Sequence, residues 1–128
     1  MAQTQIQIPL PANSSIRLTG LTNSGGWGQQ IAFTTPDGKP FLWSAKGVQN
    51  NMVIGQLVIG PYKTEGQLLT VTMHYDPGTG VQQSQMETDA FNMVGLGGYV
   101  VGGQDGGGRP FGQAFWNTIL FVYWAPGY

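Results

Sequence analysis

Gln67-Leu-Leu-Thr-Val-Thr-Met-His-Tyr75 alternates without a break: Leu69, Val71, Met73 and Tyr75 share one face of an extended chain, and Thr70, Thr72 and His74 share the other. Extended backbone turns successive side chains to opposite sides, so the stretch predicts a strand with one face in a core. The same period runs outward from it. Upstream, Gln5-Ile-Gln-Ile-Pro-Leu10 lines up Ile6, Ile8 and Leu10, and Ser15-Ile-Arg-Leu-Thr19 sets Ile16 and Leu18 against Arg17. Leu21-Thr-Asn-Ser-Gly-Gly-Trp-Gly28 is expected to be a loop. Gln30-Ile-Ala-Phe-Thr-Thr35 and Pro40-Phe-Leu-Trp43 form a hairpin about Pro36-Asp37-Gly38. Asn51-Met-Val-Ile54 and Gln56-Leu-Val-Ile59 are apolar on both faces, which predicts strands covered by a second sheet and a central position.

Downstream, Asp76-Pro-Gly-Thr-Gly80 turns the chain, Val81-Gln-Gln-Ser-Gln85 reads as an edge strand or a loop, and Phe91-Asn-Met-Val-Gly-Leu96 resumes the apolar pattern. Residues 115–124 hold aromatics at Phe115, Trp116, Phe121, Tyr123 and Trp124; exposed at an edge they would template aggregation, so this strand should be paired on both sides or covered by a partner subunit. No helical periodicity and no internal repeat is present. Eight to ten short strands spaced by about a dozen residues predict an all-β fold, an antiparallel β-sandwich of about nine strands with Greek-key connections.

With 128 residues, 41% of them apolar, the chain reads as one domain over residues 1–128, able to bury about two thirds of the surface its unfolded form exposes. Charged residues are 9% of the total and glycines number 21, so the surface is polar yet nearly uncharged. A net charge of −1 with Arg17, Lys39, Lys46, Lys63 and Arg109 dispersed gives no footprint for nucleic acid or an anionic membrane. The absence of cysteine excludes disulfides, zinc thiolates and thiol nucleophiles. Met1-Ala-Gln-Thr-Gln5 lacks the features of a signal peptide and no apolar run is long enough to span a bilayer. A soluble protein is expected, cytoplasmic or exported by another route.

The candidate functional stretch is Gly102-Gly-Gln-Asp-Gly-Gly-Gly-Arg-Pro-Phe-Gly-Gln-Ala114, read as a glycine-dense loop between Gly98-Tyr-Val-Val101 and the last apolar run. Asp105 and Arg109 are its only charges, so backbone amides, carbonyls and flanking aromatics would supply most contacts: an inventory for binding, not catalysis. No lysine or helix follows the glycines as in a phosphate loop. His74 lies among threonines on a polar face, where solvated surface is its ordinary role, and no nucleophile elbow accompanies it. Glycosidase chemistry needs two facing carboxylates, whereas Asp37 and Asp76 sit in turns and Glu65 adjoins Gly66 in a loop; no enzyme is expected. Trp27, Trp43, Trp116 and Trp124 read as core or subunit interface, Trp124 foremost for an interface.

Four segments in order carry a resemblance: Ile8-Pro-Leu-Pro-Ala-Asn-Ser-Ser-Ile-Arg-Leu-Thr-Gly-Leu-Thr-Asn-Ser-Gly-Gly26, Asn50-Asn-Met-Val-Ile-Gly55, Tyr99-Val-Val-Gly-Gly-Gln-Asp-Gly106, and the hydrophobic last strand ending in Trp124 with Pro126 and Gly127. The chain resembles the soluble bacterial two-calcium lectins that bind fucose and mannose. That resemblance implies a nine-stranded antiparallel sandwich that dimerises, in some members to tetramers, with a sugar site at the loops around Asn23 and Asp105. It implies that Asn23 matches a calcium-ligating asparagine and Ser24 a neighbour that contacts the sugar. Gln104 stands where the family has a ligating glutamate, Asp105 and Gly106 match its next two residues, and Asn117 replaces its last ligating aspartate. Beyond Gly106 the family's Asp and Asn run is replaced by Gly107-Gly-Arg-Pro-Phe-Gly-Gln113, and Tyr128 extends past the glycine whose carboxylate completes a partner's site.

Calcium takes six to eight oxygens, several of them carboxylate, and one carboxylate beside Arg109 does not offset two adjacent divalent ions. The expectation is therefore a lectin without metal or other cofactor, binding glycans through Asn23, Ser24, Trp27, Gln104, Asp105, Arg109 and Phe111, and multivalent as a homodimer or larger homo-oligomer. The alternatives stay open: Trp27 and Phe111 packing inward with Arg109 capping carbonyls, or a lectin-like scaffold that acts by self-assembly or on a protein or membrane target, as a toxin subunit would.

Overall fold

A computed structural model of the chain describes residues 3–23, 25–48, 52–105 and 117–125. Its strands, in chain order, are β1 (Ile6–Leu10), β2 (Ile16–Thr22), β3 (Gly25–Thr34), β4 (Pro40–Val48), β5 (Met52–Ile59), β6 (Gln67–Asp76), β7 (Gln82–Gln83), β8 (Gln85–Met93), β9 (Leu96–Gln104) and β10 (Thr118–Trp124). They form two antiparallel sheets. One runs β1-β6-β3-β4, with β7 also paired to β6; the other runs β5-β2-β10-β9-β8.

The alternating stretch from Gln67 becomes β6, an interior strand of the first sheet. Its apolar row meets apolar rows on either side: Leu69 pairs with Ile8, Val71 with Ile6 and Phe33, and Met73 with Ile31. Leu69, Val71 and Met73 are fully buried. Facing them across the sandwich are Ile16 and Leu18 of β2, Val101 of β9 and Leu120 and Val122 of β10. Each such burial contributes about 1.5–3 kcal/mol. The aromatic strand β10 is the middle strand of its sheet, paired on both sides, with β2 and β9, the first of the two arrangements expected for it.

Trp43 of β4 closes one open flank of the sandwich. It stands edge-on to Phe33, with ring centroids 4.9 Å apart, and its indole lies over two glycines where a side chain would force a shift. A Cβ on Gly55 would stand 2.1 Å from Trp43 Cδ2, and one on Gly20 would stand 2.9 Å from Cε3. Phe33 also stacks on Phe41, at 4.9 Å and 13°.

Three sequence expectations are corrected. Most of the stretch from Leu21 to Gly28 is strand, since β2 continues through Thr22 and β3 starts at Gly25. The two apolar runs around Gly55 form one strand, β5, at an edge of the second sheet instead of its centre; Val53 and Val58, on its outward face, are 49% and 53% exposed, so that face has nothing over it among the described residues. Gly102, Gly103 and Gln104 are strand as well. Gly103 is glycine because the opposite sheet comes close: a Cβ there would meet Met73 Sδ at 2.7 Å.

Candidate functional site

At one end of the sandwich the ends of β2 and β9 and the starts of β3 and β10 converge, because Thr118 at the start of β10 pairs with Thr22 on one side and Gly103 on the other. Asn117 joins them. Its backbone N–H donates to Gly103 O at 3.0 Å, its carbonyl accepts from Asn23 N at 2.8 Å and from Thr22 Oγ1 at 3.1 Å, and its side-chain Oδ1 accepts from Asp105 N at 2.9 Å. One residue thus holds Asn23 and Asp105, each just past the end of its strand and 82 positions apart (105 − 23), at the same rim.

The first sheet enters through Gln29 of β3. Its Nε2 donates to both Asp105 oxygens, at 2.9 Å to Oδ1 and 2.7 Å to Oδ2, while its Oε1 accepts from the Thr118 hydroxyl. Gln29, Thr22 and Thr118 are each 1% exposed. All three continue inward-facing rows: Gln29 is in phase with Ile31 and Phe33, Thr22 with Leu18 and Ile16, Thr118 with Leu120 and Val122. The apolar core therefore ends in a hydrogen-bonded polar layer, which satisfies groups that would otherwise be costly to bury. Asp105 is half-buried, and desolvation raises its pKa above the ordinary value, partly offset by the Gln29 hydrogen bond.

The remaining expected site residues fall as follows. Gln104 is buried at the end of β9, opposite Gln85 of β8. Trp27 is 43% exposed; its ring stacks on Tyr75 at 5.6 Å and 16°. It lines a hollow of about 240 Å3 with Lys46, Asp76 and Pro77. Ser24, Arg109, Phe111, the rest of the glycine-dense stretch and Tyr128 lie outside the described residues. Gln29 and Thr118 were absent from the expected site. The available signal was the strand period, which places a polar side chain at an inward position in each.

Elsewhere the carboxylates are used locally. Asp76 Oδ1 accepts from Gly78 N at 2.8 Å and Gly80 N at 3.2 Å, closing the turn after β6, and Glu65 Oε2 accepts from Ala12 N at 3.2 Å. His74 is half-buried, in register between Gln30 and Gln83. Among the described residues no group of three or more His, Cys, Asp or Glu is placed to hold a metal ion. Among the described residues this rim offers one carboxylate, Asp105, whose oxygens both accept from Gln29 Nε2, whereas calcium takes six to eight oxygens, several of them carboxylate. Among the described residues no helix is long and apolar enough to cross a membrane.

No protein-family model and no curated protein matches the chain. Solved structures do. It is similar to a high-affinity mannose-binding lectin of Ralstonia solanacearum, with 19% identity, 94% of this chain and 96% of that one covered, and a TM-score of 0.68. It is similar to the Chromobacterium violaceum lectin CV2L, solved in complex with alpha-methyl-fucoside, at 22% identity, 94% and 96% coverage and a TM-score of 0.67. The C-terminal domain of the BC2L-C lectin from Burkholderia cenocepacia matches at 20% identity, 99% and 100% coverage and a TM-score of 0.70. At these identities the likeness is one of fold: the antiparallel sandwich is that of these bacterial lectins along nearly its whole length.

Proposed function

We propose that this chain is a carbohydrate-binding protein of lectin type, not an enzyme, whose sugar site is at the rim of Asn23 and Asp105, with Ser24, Trp27, Gln104 and Arg109 as the further contact residues, and which binds without a pair of calcium ions. The observation that carries this reading is half-buried Asp105, its carboxylate held by Gln29 and its backbone N–H by Asn117, at the end of a fold shared with proteins described as mannose-binding or solved with a fucoside. A carboxylate has about four lone-pair sites, and Gln29 uses one on each oxygen, so acceptor capacity remains for sugar hydroxyls. Ser24 and Arg109 supply a hydroxyl and a cation, and the half-exposed Trp27 ring, backed by Tyr75, is a platform for a sugar face. Multivalency would come from a homodimer or larger homo-oligomer.

A glycan array probed with the labelled protein, once with calcium and once with a chelator, tests the reading. Binding that survives chelation supports it, and binding abolished by the chelator overturns the calcium-free part. Undiminished binding by a Ser24→Ala, Asp105→Ala double variant would remove the site.

The second reading is a lectin-like scaffold that acts by assembly, as a toxin-like or protein-interaction subunit. The exposed Val53 and Val58, on the outward face of an edge strand, favour it. A blank array under both conditions, with an oligomer that dissociates when Val53 and Val58 are replaced by Thr, would select it.

A further inference from the structure

The far end of the sandwich holds a cleft that the reading above does not use. β3 runs away from the Asn23 rim to Thr34, and β5 runs from Met52, opposite Thr22, to Ile59, opposite Ile16. Where they end, the β3–β4 turn of one sheet and the segment following β5 of the other enclose about 390 Å3, a size that suits a small ligand. Phe41 and Leu57 give it apolar walls, Tyr62 an aromatic one, and Thr35, Asp37 and Lys39 its polar groups.

Both sides of the cleft are held in place. The turn is closed by Gly38 N to Thr35 O at 2.9 Å, Thr35 N to Lys39 O at 3.0 Å and Lys39 N to Thr35 Oγ1 at 3.1 Å, with Gly38 at φ 83°. Across the cleft, Tyr62 O accepts from Asn13 N at 2.7 Å, tying that segment to the β1–β2 connection. The Tyr62 hydroxyl and the Asp37 carboxylate face the same cleft from the two sheets and interact across it. Lys39 Nζ stands 3.8 Å from Asp37 Oδ2. The charges in the cleft therefore cancel, which disfavours a ligand with net charge of either sign. What is left is one acceptor, one strong donor and hydroxyls beside aromatic rings. Hydrogen bonds, led by the Thr35 hydroxyl, hold the Asp37 carboxyl below its ordinary range, while burial, with the Asp37 charge and hydrogen bond, pushes the Tyr62 phenol up. At neutral pH the pair is thus a charged acceptor and an uncharged hydroxyl.

We propose that this cleft is a second ligand site, taking a neutral pyranose whose hydroxyls bond Asp37 and Lys39 and whose ring face lies on Tyr62 and Phe41. The proposal is independent of the Asn23 rim. With two sites at opposite ends, a single chain would be bivalent without any partner subunit.

The test is an amide-resolved NMR titration of the isotope-labelled full chain with methyl α-mannoside, methyl α-fucoside, methyl β-galactoside and methyl β-glucoside, each to about 10 mM, enough to saturate a millimolar site. At least one is expected to give saturable shifts at the Lys39, Leu57 and Tyr62 amides. Affinity there should fall by about tenfold or more in Lys39→Ala and in Tyr62→Phe, a loss of about 1.4 kcal/mol, and be unchanged in Asp105→Asn. Lys39→Ala is a surface change that leaves folding intact, and the dispersion of the amide spectrum reports whether Tyr62→Phe folds. Absence of shifts at these amides with every glycoside overturns the proposal. Shifts confined to the Asn23 and Asp105 amides overturn it while supporting the other site. Shifts that persist unchanged in both variants overturn it too, since neither Lys39 nor Tyr62 would then contact the ligand.

Discussion

Gln29 Nε2 lies 2.9 Å from one oxygen of Asp105 and 2.7 Å from the other, so a neutral amide of one sheet occupies the face of the carboxylate borne by the opposite sheet. The pair makes the polar end of the core a load shared between sheets, and its consequences can be measured.

The first concerns pH. Burial raises the Asp105 carboxyl above its ordinary range. A carboxyl raised in the folded state holds its proton more tightly there than in the unfolded chain; its favourable contribution is complete in acid, below the unfolded value, and is lost as pH rises through the folded value. Asp105→Asn abolishes that dependence. The stability of the variant relative to the parent should therefore improve as pH rises from the ordinary carboxylate range toward neutrality, as followed by urea unfolding at a series of pH values. A flat difference would mean the carboxyl is as solvated in the folded chain as in the unfolded one, and a difference of opposite slope that folding stabilises its charged form.

Gln29→Leu removes the donor to Asp105 and the acceptor of the Thr118 hydroxyl at once. Leaving those groups without partners at a buried site should cost about 1–3 kcal/mol each. Because the Gln29 hydrogen bond lowers the Asp105 pKa, its loss should push that pKa further up. Chemical denaturation checks the first effect and an NMR titration of the Asp105 carboxyl carbon the second; an unchanged titration would separate the two residues in solution.

Gly55→Ala places a methyl 2.1 Å from Trp43 Cδ2, whereas the nearest approaches in Gly20→Ala are 2.8 Å to Ile31 Cδ1 and 2.9 Å to Trp43 Cε3. Overpacking of this kind costs about 1–3 kcal/mol, and the Gly55 variant should be the less stable of the two. Trimming the indole should recover part of the loss, so a Gly55→Ala, Trp43→Leu pair is expected to be less destabilised than the sum of its single changes. Additive urea midpoints would show that the ring moves aside without cost.

Calcium should not stabilise the fold. A specific ligand at about a hundredfold excess over its Kd adds about 2.7 kcal/mol, several degrees in Tm for a domain of this size. Thermal unfolding with calcium and with a chelator is expected to coincide. A rise of several degrees with calcium would restore a metal to the Asn23 rim.

Strand period carried most of the architecture. It identified β6 from the row Leu69, Val71 and Met73, and the aromatic content of β10 called for strand partners on both sides or a covering subunit, of which β2 and β9 provide the first. What period does not carry is adjacency. The apolar faces of β5 read as covered, because Met52, Val53 and Val58 report composition and not which neighbour is present. Gly102 and Gly103 read as loop because a glycine looks alike in a turn and beneath a facing side chain such as Met73. The site was half legible. Asn23 and Asp105 do share one rim, joined through Asn117, but the partner of Asp105 was an ordinary glutamine in a strand, visible only through its phase with Ile31 and Phe33.

β10 has one further consequence, for how the chain comes together. Thr118 pairs with Thr22 and Tyr123 with Arg17, so the middle of this sheet is made from a segment translated long after the strand it joins. Until residues 117–124 leave the ribosome, β5 with β2 and β9 with β8 remain two fragments with unsatisfied edges. The closing step has high contact order and should run on the slow side, milliseconds to seconds as an order of magnitude. In that interval the apolar edges are open to other nascent chains, which makes completion of this one strand the event that removes the chain from aggregation.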